Sequence, residues 1–128
     1  MKEEKFEQLY SNLNPQQKQA VDTIEGPVVV VAGPGTGKTQ ILTLRIANIL
    51  KTQGADLAEN ILALTFTNAG VHAMRKRLSE IIGVQDAYKV GIYTFHSFAE
   101  EQIKQNPDIF GAFRTSRPVS DIEKIRIM

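Results

Sequence analysis

The chain contains no cysteine. It can therefore build neither a disulfide framework nor a thiolate metal site, and it suits a reducing cytosol. Long apolar runs are missing as well. The longest, from Val28 to Ala32, is five residues, where a membrane-spanning helix needs about 20. Met1-Lys2-Glu3-Glu4-Lys5 has none of the apolar core of a secretory signal. These absences predict a soluble, cytoplasmic protein with no membrane partner. Charge of one sign is also lacking: 15 basic against 14 acidic side chains leave a net +1. Such a balance neither demands nor excludes a polyanionic partner. The small basic excess lies in residues 61–128, with nine basic and seven acidic side chains, and includes Arg75-Lys76-Arg77, read as a solvated helix face. The two histidines, His72 and His96, form no metal-ligating pattern.

What remains is ordinary globular material. The 128 residues, 42% apolar and 23% charged, amount to about one domain with a core of its own. Within it, Val28-Val29-Val30-Val31-Ala32 runs into Gly33-Pro34-Gly35-Thr36-Gly37-Lys38-Thr39 and then into a helical pattern from Gln40. Strand, glycine-rich turn, Gly-Lys-Thr and helix make up a phosphate-binding P-loop, with Ala32 at the position where the pattern opens on glycine. Gly33, Gly35 and Gly37 are expected to supply positive φ and close backbone approach. The loop amides would then form an anion-binding nest at a helix N-terminus. Lys38 is expected to reach the β- and γ-phosphates of a nucleoside triphosphate, and the Thr39 hydroxyl to hold Mg²⁺.

Periodicity places these residues on elements. Phe6, Leu9, Tyr10 and Leu13 predict a helix over residues 2–12. Asn14-Pro15 reads as an N-cap with proline at the first helical position, opening a helix to about Ile24 that Gly26-Pro27 ends. Val28–Ala32, apolar on both faces, reads as a buried parallel strand. A helix from Lys38 to about Lys51 ends at Gly54, and Ile61–Phe66 is the next strand. Asn68 is expected to cap a helix to Ile82 that Gly83 closes, Val90–Thr94 is a third strand, and a helix follows over His96–Gln105. A short Ile109–Phe113 segment and a helix from Asp121 to Ile127, capped by Ser120, complete the pattern. Alternating strands and helices predict an α/β fold with a parallel sheet. Ligands of such sheets sit beyond the C-terminal strand ends. There the P-loop, Thr65-Phe66-Thr67-Asn68 and Thr94-Phe95-His96-Ser97 would meet.

Four segments in this order resemble the N-terminal part of UvrD/Rep/PcrA-type superfamily 1 helicases. Leu13 to Val21 is similar to that family's Q motif, and Ala32–Thr39 with Leu44-Arg45-Ile46 to its P-loop. Ile61–Asn68 is similar to motif Ia, and Thr94-Phe95-His96-Ser97-Phe98 to motif Ib. The resemblance implies a P-loop NTPase of RecA-like architecture, with residues 1–128 as an incomplete first motor domain. It further implies ATP and Mg²⁺ as ligands held by Gly33, Pro34, Gly35, Thr36, Gly37, Lys38, Thr39 and Gln40. Lys38 and Thr39 would be the catalytic members. Gln17 would pair with the adenine edge, to which a planar carboxamide is suited. Thr65, Phe66, Asn68, Thr94 and His96 would touch single-stranded DNA. Aromatic rings stack on unpaired bases without reading sequence, and hydroxyls and helix N-termini hold phosphates.

The sequence also departs from the family pattern. The Asn-Lys-Ala-Ala continuation of motif Ia is Asn68-Ala69-Gly70-Val71 here, Ala73 replaces a glutamate before Met74, and Gln40 replaces an arginine that stacks on adenine. No Asp-Glu pair for completing Mg²⁺ coordination and orienting water occurs in the chain. The expectation is a truncated helicase piece that binds ATP with little turnover, its remaining domains and a DNA substrate being its partners. Three alternatives stand beside it: part of a RecB/AddA-like helicase–nuclease, a small P-loop kinase, and a non-enzymatic module that binds nucleotide or single strands.

Overall fold

In the computed structural model, which describes residues 2–111, helix boundaries follow the local chemistry of the chain. Helix α1 spans Glu3–Ser11, and α2 spans Pro15–Asp22 with Asn14 as its N-cap. The Asn14 side chain accepts from the Gln17 amide at 2.9 Å, and the Gln17 side chain accepts from the Asn14 amide at 3.0 Å. That reciprocal capping box, with proline at the first helical position, starts the helix where sequence placed it. Helix α3 spans Lys38–Gln53 and ends at Gly54, and a 3-10 helix covers Ala55–Asn60. Strand β1 (Leu62–Thr65) leads into α4 (Asn68–Ile82), then α5 (Val84–Lys89), β2 (Gly91–Thr94) and α6 (Phe95–Gln105). Thr67, one residue earlier than expected, caps α4 by accepting from the Gly70 amide at 3.0 Å.

β1 and β2 pair in parallel, with Leu62 opposite Gly91 and Thr65 opposite Thr94. Helix α4 connects β1 towards β2 and packs on both strands. Gly91 sits where a side chain would be crowded. A Cβ there would lie 3.2 Å from Tyr93 Cε2 and 3.3 Å from the Ile61 carbonyl, which accepts the Gly91 amide. The core gathers Leu44, Ile46, Ala47 and Leu50 of α3 with Met74, Leu78, Ile81 and Ile82 of α4. Val21 of α2, Phe6 of α1 and Val90 and Ile92 around β2 join them. Thr43 is buried among these, and its hydroxyl is satisfied by the Thr39 and Gln40 carbonyls, both at 3.0 Å.

The described residues divide into two compact units, one up to Thr94 and one from Phe95. Helix α6 has no buried residue of its own. Two expectations meet corrections here. Val28–Ala32 is not a buried strand. It has no regular secondary structure and pairs with no strand among the described residues, with Val29 and Val31 89% and 96% exposed. A strand exists only where a neighbouring backbone supplies donors and acceptors. The two described strands supply them to each other. Arg75, secondly, is no solvated cation. Its guanidinium donates to the carbonyls of Ala87 at 2.6 Å, Val90 at 3.0 Å and Ile92 at 3.4 Å, fastening α4 to α5 and β2. Its position between Val71, Met74 and Leu78 puts it on the inward side of α4. The helix expected from Asp121, and the end of the Ile109–Phe113 segment, lie outside the described residues.

Candidate nucleotide and nucleic-acid site

The glycine-rich turn takes the conformation its sequence demands at two positions. Gly35 has φ +73° and Gly37 φ +79°, the left-handed region that glycine enters without strain. Gly33, expected to need the same freedom, has no positive φ. A Cβ there would make only an ordinary contact, 3.8 Å from the Thr36 methyl. Gly37 is the N-cap of α3, so the first amides of that helix have no carbonyl one turn earlier and face the loop. Thr36 Oγ1 donates to the Gly33 carbonyl at 2.7 Å and closes the turn. Lys38 Nζ bends back over it, 2.8 Å from the Gly33 oxygen and 3.2 Å from that of Ala32. The ammonium therefore lies over the concave side of the loop. Thr39 and Gln40 are half-buried at the start of α3, and Pro34 is exposed at the tip.

Gln17 stands across from this loop. Besides capping α2, its Nε2 donates to the Thr36 carbonyl at 3.2 Å, tying the first turn of α2 to the glycine-rich turn. Between them lies a cavity of about 250 Å³ lined by Asn14, Gln16, Gln17, Val30 to Gly33, Thr36 and Ile41. The geometry thus brings Gln17 together with Gly33 and Thr36 at one cavity. The capping box was legible as Asn14 and Gln17 three residues apart, a signal that the reading of Gln17 as a base contact passed over.

A second group collects at the C-terminal strand ends. Thr65 ends β1 opposite Thr94 of β2, and Phe66 follows, 87% exposed. A core role for the Phe66 ring is thereby excluded. Thr67 and Asn68 form the N-terminus of α4, held close to the sheet at Gly70, where a Cβ would meet Thr65 Oγ1 at 2.5 Å. Thr94 is only 7% exposed, which leaves its side chain little surface for a ligand. His96 is exposed in the first turn of α6 and belongs to the other compact unit. Sequence reasoning missed Arg45 and Asn48 as structural partners: Arg45 Nη1 donates to the Ala20 carbonyl at 2.7 Å, and Asn48 Nδ2 to that of Val21 at 3.2 Å.

Comparison with known proteins decides the lineage. Residues 13–127 match the family model of the UvrD/REP helicase N-terminal domain. The chain belongs to this family. Among UvrD/REP relatives, the ATP-dependent DNA helicase PcrA of Staphylococcus epidermidis is 39% identical over 106 residues, which is 83% of this chain. That of Bacillus subtilis is 36% identical over 121 residues, or 94% of it. A probable DNA helicase II homolog of Rickettsia conorii is 48% identical over 87 residues, or 68% of it. The chain spans only 13 to 16% of the length of these helicases. Among the described residues, no helix is long and apolar enough to cross a membrane. Nor does any group of three or more histidine and acidic side chains there make a metal cluster.

Proposed function

We propose that this chain is the nucleotide-binding part of an ATP-dependent DNA helicase, the N-terminal portion of a RecA-like P-loop motor domain. The observation that carries this reading is the P-loop itself. Two left-handed glycines, open space where their side chains would stand, a helix N-terminus and a lysine ammonium converge on one concave turn. A triphosphate fits that donor set, since its oxygens would take the loop amides and the Lys38 ammonium. Lys38 would release the Gly33 and Ala32 carbonyls to do so. Gly33, Pro34, Gly35, Thr36 and Gly37 would wrap the phosphates, with Gln40 beside them at the first turn of α3. The adenine would enter the cavity beside Gln17, whose amide would exchange the Thr36 carbonyl for the base edge. Mg²⁺, held through the nucleotide by the Thr39 hydroxyl, would neutralise phosphate charge.

Single-stranded DNA is the polymer partner in this reading. Exposed Phe66 would stack on a base, and Thr65, Asn68 and the α4 N-terminus would hold phosphate, while the buried Thr94 side chain would make no contact and exposed His96 would be a separate contact of the second unit. The PcrA relatives, named as ATP-dependent DNA helicases, support the assignment. Without an acidic pair to complete the metal shell and orient water, these 128 residues would bind ATP and turn it over slowly. The rest of a longer helicase would supply the missing chemistry.

Calorimetric titration with magnesium ATP tests the site. Wild type should bind, and Lys38→Ala should abolish binding while the unfolding midpoint stays unchanged. Equal affinity in the variant would reject the P-loop assignment. Phe66→Ala should weaken single-strand binding by no more than about 3 kcal/mol, read by fluorescence anisotropy. Unchanged anisotropy would remove Phe66 from the DNA track.

A further inference from the structure

Helix α2 is only eight residues long, with one end tied to α3 and the other to the turn that precedes α3. At its C-terminus the Gln19 carbonyl is met locally, by the Thr23 amide at 3.0 Å and the Thr23 hydroxyl at 2.8 Å. The next two carbonyls, on buried Ala20 and Val21, are met from α3, by Arg45 at 2.7 Å and Asn48 at 3.2 Å. Arg45 and Asn48 stand one turn apart on α3 and are half-buried. A guanidinium at a helix C-terminus meets both the orphan carbonyl and the negative end of the dipole. At the other end of α2, Gln17 reaches the Thr36 carbonyl, two residues before α3 begins.

α2 is thus a strut across the P-loop and its helix, and the cavity beside Gln17 lies under its first turn. Arg45 and Asn48 join the buried Ala20 and Val21 in seating α2 beside that cavity. Arg45 lies seven residues after Lys38, about 10 Å further along the α3 axis. It is therefore remote from the phosphate-binding turn itself. We infer that Arg45, seconded by Asn48, is a positioning residue for base recognition: it holds α2 so that the Gln17 carboxamide faces the nucleobase of a purine nucleoside triphosphate. This rests on the ATP-binding reading above and extends it. The inference separates two functions of one site, phosphate capture set by the loop and base selection set by the far end of α3.

The test measures selectivity, which general loosening of the fold would not change. Affinities of the 128-residue chain for magnesium ATP, magnesium GTP and inorganic triphosphate are compared in wild type, Arg45→Met, Gln17→Ala and the double variant. Wild type should prefer ATP to GTP. Arg45→Met should shrink that preference by about tenfold, the worth of one or two neutral hydrogen bonds, and leave inorganic triphosphate affinity unchanged. In the Gln17→Ala background, Arg45→Met should cost no further selectivity. If Arg45→Met fails to fold, Asn48→Ala and Arg45→Lys carry the same comparison, with smaller losses in the same direction. Full ATP preference in the Arg45 and Asn48 variants, or a loss additive to that of Gln17→Ala, would overturn the inference while leaving ATP binding intact. A wild-type chain that binds no triphosphate, or binds it without regard to base, would overturn the reading beneath it as well.

Discussion

The α3–α4 interface and the Val28–Gly37 segment are parts of one compact unit built on opposite terms. Between α3 and α4, Leu44 and Leu78 are fully buried, and even the polar Thr43 finds acceptors inside its own helix. Along Val28–Val31, four β-branched residues lie in the open, and side chains made for a core face solvent. Composition does not explain the contrast, since both regions are rich in aliphatic residues. Helices satisfy their backbones internally and need only a face to pack. An extended segment must borrow every hydrogen bond from another strand. The glycine-rich turn is carried between these two regimes, its C-terminal half anchored as the first turn of α3 and its N-terminal half continuous with unpaired chain.

The comparison breaks most readily in the core. Leu78→Ala should lower unfolding stability by about 2–5 kcal/mol, because a fully buried leucine leaves both its contacts and a cavity behind. A denaturant titration that showed a loss below about 1 kcal/mol would mean that α4 is not seated as described. At the other extreme, Val31→Lys should change stability by no more than about 0.5 kcal/mol, since the side chain is 96% exposed. Light scattering from the variant should fall relative to wild type, because an exposed apolar segment with unpaired backbone is a template for association. A large destabilisation would show that Val28–Ala32 is paired in solution, and the contrast between the two regions would close.

These outcomes bear on how much the sequence could reveal. The helices were readable because their signals are local. Asn14-Pro15, Gly54 and Gly83 mark ends, and the apolar stripes of α3 and α4 mark faces. The parallel pairing of β1 with β2 followed from a helix-length crossover between two short apolar runs. Val28–Ala32 misled because a run apolar on both faces states what a segment needs, not whether the need is met. Candidate site residues stand out as types: a glycine-rich turn with Gly-Lys-Thr has a spacing that chemistry dictates. Arg75 and Arg45 were not legible as structural donors. Their partners are main-chain carbonyls of Ala87, Val90 and Ala20, which no residue type betrays. The buried position of Thr94 likewise depends on packing above the strand and not on its motif. The α5 helix and the 3-10 helix escaped notice because each is a six-residue segment, too short to show a period.

The corner between α1 and α2 gives the finest test, because its ties are polar, aromatic and exposed to solvent. Tyr10 donates to Asp22 Oδ2 at 2.6 Å, its ring stacks on Phe6 with centroids 5.6 Å apart, and Lys18 Nζ lies 5.4 Å over it. Tyr10→Phe keeps both ring contacts and removes only the hydrogen bond. It should therefore cost less than about 1 kcal/mol near neutral pH, as exposed polar pairs do. The hydrogen bond to Asp22, aided by partial burial, raises the Tyr10 pKa above its ordinary 10.0. A raised folded pKa means that the folded state keeps its proton where the unfolded chain has lost it. The contribution of Tyr10 is then whole below pH 10.0 and is lost as pH climbs through the folded value. The stability gap between wild type and Tyr10→Phe, followed by thermal unfolding, should be flat up to that point and narrow above it. A gap that widened with alkalinity would mean that the phenol, not its hydrogen bond to Asp22, sets the stability of this corner.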